Sequence, residues 1–261
     1  MREFKAVFLD VDCTLTSEID GELMPSCLEA CQELQAKGIP VIIATGRQGL
    51  CVPCIQDGLI KPDYIMGANG SQFYDRDQKL IWSEYIEKEL FDEITAFCRK
   101  HRVDLFWKFP DAMYAYVGET EVSKVSEETL VNFHIAVHPD PKALPSAGGL
   151  VGIDKKTMEL FRKQFGQRIS CVDGGYYVWD LNNPGTDKGV GLCRMAEMLG
   201  IKPEECIAFG DSENDVLMLK AAGLGVAMAN GHQIARDSAD YITDKASEDG
   251  VYKALKKFGI L

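Results

Sequence analysis

The apolar run ending at Leu9 stops on two carboxylates one residue apart, in Phe8-Leu9-Asp10-Val11-Asp12-Cys13-Thr14-Leu15, and this junction constrains the fold more than any other stretch. Side chains alternate along an extended backbone, so continued strand geometry would aim Asp10 and Asp12 one way and Val11 the other. Open α/β sheets bind their ligands at the carboxyl ends of strands. Paired acids there hold a cation, attack an electrophile or move a proton. The plainer reading is that both aspartates only start a turn, a position Asp favours. A second acidic cluster shifts the balance: Gly210-Asp211-Ser212-Glu213-Asn214-Asp215 follows another apolar run, Cys206-Ile207-Ala208-Phe209. The two clusters meet only if their strands lie close in one sheet, and the meeting would make an oxygen-rich site suited to hard Mg²⁺.

The surrounding pattern supplies such a sheet. Cys27, Ala30, Cys31 and Leu34 mark one face of a helix ending at Gly38, Val41 to Ala44 reads as the next strand, and another helix is expected after Arg47. A short strand, Tyr64 to Met66, precedes the loop Ala68-Asn69-Gly70-Ser71. The same rhythm returns in the helix Asp187 to Leu199, the strand Cys206 to Phe209, a helix after Asn214, the strand Gly225 to Met228 and a helix after Asn230. Strands alternating with helices predict a parallel sheet with right-handed crossovers, covered on both faces. Between these halves the texture is α+β: a helix carrying Leu90, Phe91, Ile94, Phe97 and Cys98, then strands Asp104 to Trp107 and Met113 to Val117. A helix over Lys155 to Phe165 and strands Arg168 to Val172 and Tyr176 to Leu181 repeat that order, with a Pro139-Asp140-Pro141 loop between. The expected fold is therefore α/β, a Rossmann-like parallel-sheet core of residues 1–82 and 185–261 with an inserted α+β domain at 83–184.

Composition narrows the function classes. A chain of 261 residues, 46% hydrophobic and 26% charged, has the balance of a globular protein with ample core. Its net charge of −12 argues against a nucleic-acid-binding surface. No stretch is long and apolar enough to span a bilayer, and Asp10 interrupts the first apolar run before it could form a signal-peptide core. Nine cysteines without an export signal fit a reducing cytoplasm, the expected location. Cys51 and Cys54 form a C-x-x-C, which raises a redox or zinc role. The chain has no second ligand pair at zinc spacing, and both cysteines are expected on the helix after Arg47.

Two further segments read as anion sites. Ile43-Ala44-Thr45-Gly46-Arg47 puts a hydroxyl and a flexible glycine at a strand end, where Thr45 could donate to a phosphate oxygen or simply cap a helix. Lys188 lies at a helix start, where a cation opposes the helix dipole; an anionic ligand would explain it, as would a solvated surface position.

In order, Asp-x-Asp-x-Thr at 10–14, Thr-Gly-Arg at 45–47, Asp-Lys-Gly at 187–189 and Gly-Asp-x-x-Asn-Asp at 210–215 resemble the haloacid dehalogenase-like hydrolase superfamily. The chain is most similar to the Cof-type sugar phosphatases of subfamily IIB, whose C2B-type α+β cap lies between the second and third motifs. The resemblance implies a Mg²⁺-dependent phosphatase acting on a small phosphorylated metabolite, a sugar phosphate or phosphorylated cofactor, through an aspartyl-phosphate intermediate. It makes Asp10 the nucleophile and Asp12 the general acid and base. Asp10, the backbone carbonyl of Asp12, and Asp211 would ligate the metal, and Asp215 would support that shell or orient Lys188. Thr45, Gly46, Lys188 and Asn214 would hold the phosphoryl oxygens. Arg47 and Asn69 from the core, and Trp107 and Asn182 from the cap, are candidates for substrate contact, with Lys108, Tyr114 and Trp179 beside them. Cys13 stands where the family most often has glycine, and is read either as a reactive thiol beside the metal or as an inert packed one. A phosphotransferase or phosphomutase using the same intermediate, and a noncatalytic phosphometabolite-binding protein, are the competing functions. The sequence leaves the oligomeric state open.

Overall fold

The structure, a computed structural model, describes residues 4–19, 21–117, 133–134, 136–173 and 178–261. Five strands open the chain: β1 (Ala6–Leu9), β2 (Val41–Ala44), β3 (Tyr64–Gly67), β4 (Gln72–Asp75) and β5 (Leu80–Ser83). Six follow: β6 (Asp104–Lys108), β7 (Met113–Val117), β8 (Phe133–His134), β9 (Ala147–Val151), β10 (Ser170–Asp173) and β11 (Val178–Asn182). The last three are β12 (Cys206–Gly210), β13 (Leu224–Ala227) and β14 (Tyr241–Ile242).

They form an eight-stranded sheet, ordered β14-β13-β12-β1-β2-β3-β4-β5, and a six-stranded sheet, ordered β10-β11-β9-β6-β7-β8. The first joins both ends of the chain, because β1 pairs in parallel with β12 on one side and β2 on the other. Every residue of these three strands is buried, as central strands covered on both faces require. Val7, Leu9 and Ile43 pack under the Pro25–Ala36 and Gly250–Lys257 helices. Phe8 and Ile42 pack on the other side, against Leu192 and Met195 of the Lys188–Met198 helix and Met218 of the Val216–Ala221 helix.

Two elements differ from the sequence-based expectation. β4 and β5 add an antiparallel hairpin to the parallel sheet, turned by Asp75, whose Oδ1 accepts from the Asp77 and Lys79 amides at 3.0 and 2.9 Å. The helix expected straight after Arg47 starts only at Pro53, where a proline can open a helix but could not continue one. The intervening turn is held by Gln48, whose Nε2 donates to Tyr74 Oη at 3.0 Å, and by close contact of Gly49 with Gly67, where an added Cβ would come within 2.5 Å of the Gly49 backbone. Cys51 thus precedes the helix and Cys54 lies in it, both as buried thiols that burial raises to about 12 and about 11.

The six-stranded sheet has two unlike faces. Leu105, Trp107, Leu150 and Leu181 point toward the Lys88–His101 and Lys155–Phe165 helices and form that unit's own core. Phe106, Lys108, Asp180 and Asn182 occupy the alternate positions, and Phe106 packs with Cys51 of the core. The strand expected from Tyr176 begins at Val178, its first two positions lying outside the described residues. Among the described residues no helix is long and apolar enough to cross a membrane.

Candidate active site

Asp10, Thr45 and Asp211 are each the first residue beyond a strand, after Leu9 of β1, Ala44 of β2 and Gly210 of β12. Since β1 lies between the other two, sheet order alone brings the three side chains to one edge. The Lys188–Met198 helix supplies the fourth element: its Asp187 N-cap accepts from the Gly189 and Val190 amides, and Lys188 points inward instead of into solvent. Lys188 Nζ donates to Asp10 Oδ1 at 2.5 Å and to Asp215 Oδ1 at 2.6 Å. The other oxygen of Asp215 accepts from the Asp211 and Ser212 amides at 3.0 Å each. Asp215 therefore braces the lysine and the turn carrying Asp211.

Asp10, Asp211 and Asp215 place carboxylate oxygens within 4.8 Å of one another, all buried. Burial, and after it the Asp215 carboxylate, push Asp10 well above the usual carboxylate range against the pull of Lys188. The same two causes raise Asp211 to about 7. Burial would lower Lys188, but Asp10 and Asp215 outweigh it and hold the ammonium above its ordinary value. Three acids thus crowd around one ammonium and resist ionising together, a penalty that a divalent ion bound by oxygen ligands would relieve.

Asp12 stands in the turn that follows the strand. Asp10 follows β1 directly, but the chain turns at Asp12, and its carboxylate is gripped by Arg47 Nε at 2.9 Å and Nη2 at 2.7 Å. Its side chain remains 54% exposed, at the rim of the carboxylate cluster. Cys13 has φ of 59°, in the left-handed region that favours glycine, and donates its amide to Thr16 Oγ1 at 3.2 Å. Burial first, then Asp211 and Asp12, raise its thiol to about 11.

The polar loops converge around Gly46. Thr45 is buried, and its Oγ1 accepts from the Arg47 amide at 3.1 Å, a local turn and not the helix cap. An added Cβ on Gly46 would stand 3.0 Å from Asn69 Oδ1 and 3.2 Å from Asn214 Nδ2. Asn214 donates to Asn69 at 3.1 Å, and Asn69 donates to Asp180 Oδ2 at 3.2 Å. Asn182 lies on the same sheet face as Asp180, with its buried Oδ1 unpartnered.

Trp107 requires a correction as a candidate for substrate contact. It is fully buried on the helix side of its sheet, with Nε1 donating to Thr95 Oγ1 at 3.1 Å and its ring 5.3 Å from Phe91. Tyr114 and Trp179 share that side: Tyr114 packs in the same core, and Arg162 covers the Trp179 ring at 5.0 Å. Lys108, one position on, faces the core, and its Nζ donates to the Gly46 carbonyl. Asp180 was not singled out from sequence. The available signal was an acid in the apolar run Val178-Trp179-Asp180-Leu181.

Comparison with known proteins agrees with this architecture. The family model described as haloacid dehalogenase-like hydrolase matches residues 7–255. A 5-amino-6-(5-phospho-D-ribitylamino)uracil phosphatase from Bacillus subtilis is 28% identical over 97% of this chain and 95% of its own length. A phosphatase of the same superfamily from Bacteroides thetaiotaomicron superposes with a TM-score of 0.85 at 26% identity, covering 100% of this chain and 97% of that one. A solved subclass IIB sugar phosphatase superposes at 0.83 with 27% identity, over 98% and 100%. The chain therefore belongs to the haloacid dehalogenase-like hydrolase family, as a phosphoric monoester hydrolase.

Proposed function

We propose that the protein is a Mg²⁺-dependent phosphatase of small phosphorylated metabolites, working through a phosphoryl group carried on Asp10. The observation that carries this reading is the placement of Asp10: buried at the end of β1, 2.5 Å from Lys188, and clustered with Asp211 and Asp215. The residues fit a hard divalent cation, since the cluster offers only oxygen donors and its acids resist ionisation without one. Asp10, Asp211 and the carbonyl oxygen of Asp12 would hold it, with Asp215 bracing Lys188 and the Asp211 turn. When bound, the cation supplies charge neutralisation at the phosphoryl oxygens.

An oxygen of Asp10 attacks phosphorus, the ester bond breaks, and the leaving alkoxide takes its proton from Asp12. Water then attacks the phosphoaspartate while Asp12 takes a proton back, releasing inorganic phosphate and restoring Asp10. Thr45, the Gly46 amide, Lys188 and Asn214 hold the equatorial oxygens, the positioning on which phosphoryl transfer depends. Arg47 anchors Asp12 at the rim. Residues 83–184 act as a cap over this site. The substrate is a sugar phosphate or a phosphorylated cofactor and its dephosphorylated alcohol is the leaving group, in keeping with the names of the sugar phosphatase and the ribityl phosphatase that resemble the chain.

Acid quenching during turnover, followed by peptide mapping, tests the mechanism. The expected result is a base-labile phosphate on the peptide carrying Asp10, discharged to inorganic phosphate on a chase. A phosphate on another residue, or none under turnover, would overturn it, and discharge chiefly to an added sugar would make the protein a phosphotransferase.

A further inference from the structure

Lys108 and Asp180 belong to the six-stranded sheet, yet their charged ends are spent on the core. Lys108 Nζ donates to Asp180 Oδ1 at 2.7 Å and to the Gly46 carbonyl at 2.8 Å. Asp180 Oδ2 accepts from Asn69, Asn69 accepts from Asn214, and Asn214 accepts from Ser212 Oγ at 2.6 Å. Both charged side chains are largely withdrawn from solvent, Lys108 being 5% exposed and Asp180 13%. The register explains how they meet: Lys108 is opposite Ala147 and Asp180 opposite Gly149, so both project from one face of three adjacent strands.

The core holds these groups to one another, the Asn69 amide donating to the Thr45 carbonyl at 3.1 Å, and the Lys108–Asp180 pair adds the restraint that comes from the other sheet. Gly46 carries no side chain, and the space its Cβ would take is filled by Asn69 and Asn214. Asn69 sits at φ of 54°, a left-handed conformation that asparagine tolerates better than most residues and that turns its side chain toward Asp180 and Asn214. A buried ion pair adds little stability over apolar packing, so its value lies in specifying an arrangement. Lifting the sheet from the core would hydrate both charges and remove the restraint on both loops at once.

We propose that Lys108 and Asp180 are positioning residues, a latch that docks the inserted domain onto the Gly46 turn and the Asn69–Asn214 pair and so aligns the phosphoryl-holding loops. The latch rests on the proposed function for its kinetic signature alone; its structural signature is independent of activity.

The test uses the full chain with K108M, K108R, D180N and the charge swap K108D/D180K. Each is assayed on p-nitrophenyl phosphate and for inhibition by inorganic phosphate, with small-angle scattering and urea unfolding alongside. K108M is expected to lower kcat by about 10- to 100-fold, the scale of a loop displaced by about 1 Å, to weaken phosphate inhibition, and to enlarge the radius of gyration. K108R restores most of the loss because a guanidinium can still donate to both acceptors. The swap keeps an ion pair but stays as slow as K108M, because a carboxylate at position 108 would face the Gly46 carbonyl. Recovery in the swap would reduce the pair to a scaffold contact and overturn the proposal, as would wild-type kcat and scattering in K108M. If K108M does not fold, D180N, which keeps the side-chain shape, carries the same readings. A wild-type protein inert toward phosphate esters would remove the proposed function, while unchanged scattering in the variants would remove the latch.

Discussion

Lys188 Nζ lies 2.5 Å from Asp10 Oδ1 in a site where the lysine side chain is 1% exposed and the aspartate 7%. A lysine at the first turn of a helix opposes the helix dipole. Its inward turn onto Asp10 and Asp215 explains why it is there. Removing one member of a buried charge set leaves the others uncompensated, at a typical cost of about 3–5 kcal/mol. Lys188→Met should therefore unfold at lower urea in the presence of chelator by roughly that amount, with Mg²⁺ restoring part of the loss. Stability equal to wild type in chelator would show that the carboxylates are already neutral without the lysine.

The raised acids give a pH signature with a definite sign. Asp211 titrates at about 7 when folded against 3.8 ordinarily, so the metal-free native state holds a proton that the unfolded state has released. Metal-free stability should fall by a few kcal/mol between about pH 4 and pH 7, and Asp10 is shifted in the same direction. Because the cation needs the carboxylate free, Mg²⁺ affinity should drop about tenfold per pH unit below about 7. Calorimetry in buffers of different ionisation enthalpy checks this through the protons released on binding.

These strand-end residues were legible because their position depends on short-range facts: an apolar run stops, the next residue is polar, and sheet order does the rest. That held for Asp10, Thr45 and Asp211. It failed for Trp107, because the charged parity of β6, Asp104 and Lys108, would read as the solvent side, whereas Lys108 is buried and reaches Gly46 while Trp107 faces the helices. The arginine clamp on Asp12 was equally hidden, since it joins side chains 35 residues apart across a turn. The turn after Arg47 misled because the strand-then-helix rhythm points to a helix there, whereas Gln48 and Gly49 are held by tertiary contacts to Tyr74 and Gly67.

Cys13 allows a clean backbone test. With φ of 59° it occupies a region costing a residue with a Cβ about 1–2 kcal/mol. Cys13→Gly should be more stable than Cys13→Ala by about 1 kcal/mol in urea unfolding. The wild-type thiol, raised to about 11, should react slowly with iodoacetamide in metal-free protein at neutral pH.

Gly46→Ala probes the phosphate loop. A Cβ 3.0 Å from Asn69 Oδ1 and 3.2 Å from Asn214 Nδ2 forces both amides outward while leaving the sheet untouched. Inhibition by inorganic phosphate should weaken about tenfold or more at nearly unchanged thermal stability, a loss of one aligned charge-assisted contact. Unaltered inhibition would place the phosphoryl group elsewhere.

The most direct test of the central claim is hydrolysis of p-nitrophenyl phosphate by wild type and Asp10→Asn, each with Mg²⁺ and with excess chelator. The account predicts turnover by wild type with Mg²⁺ only, and none by Asp10→Asn despite a folded protein by circular dichroism. Metal-independent turnover by wild type, or an active Asp10→Asn enzyme, would contradict it.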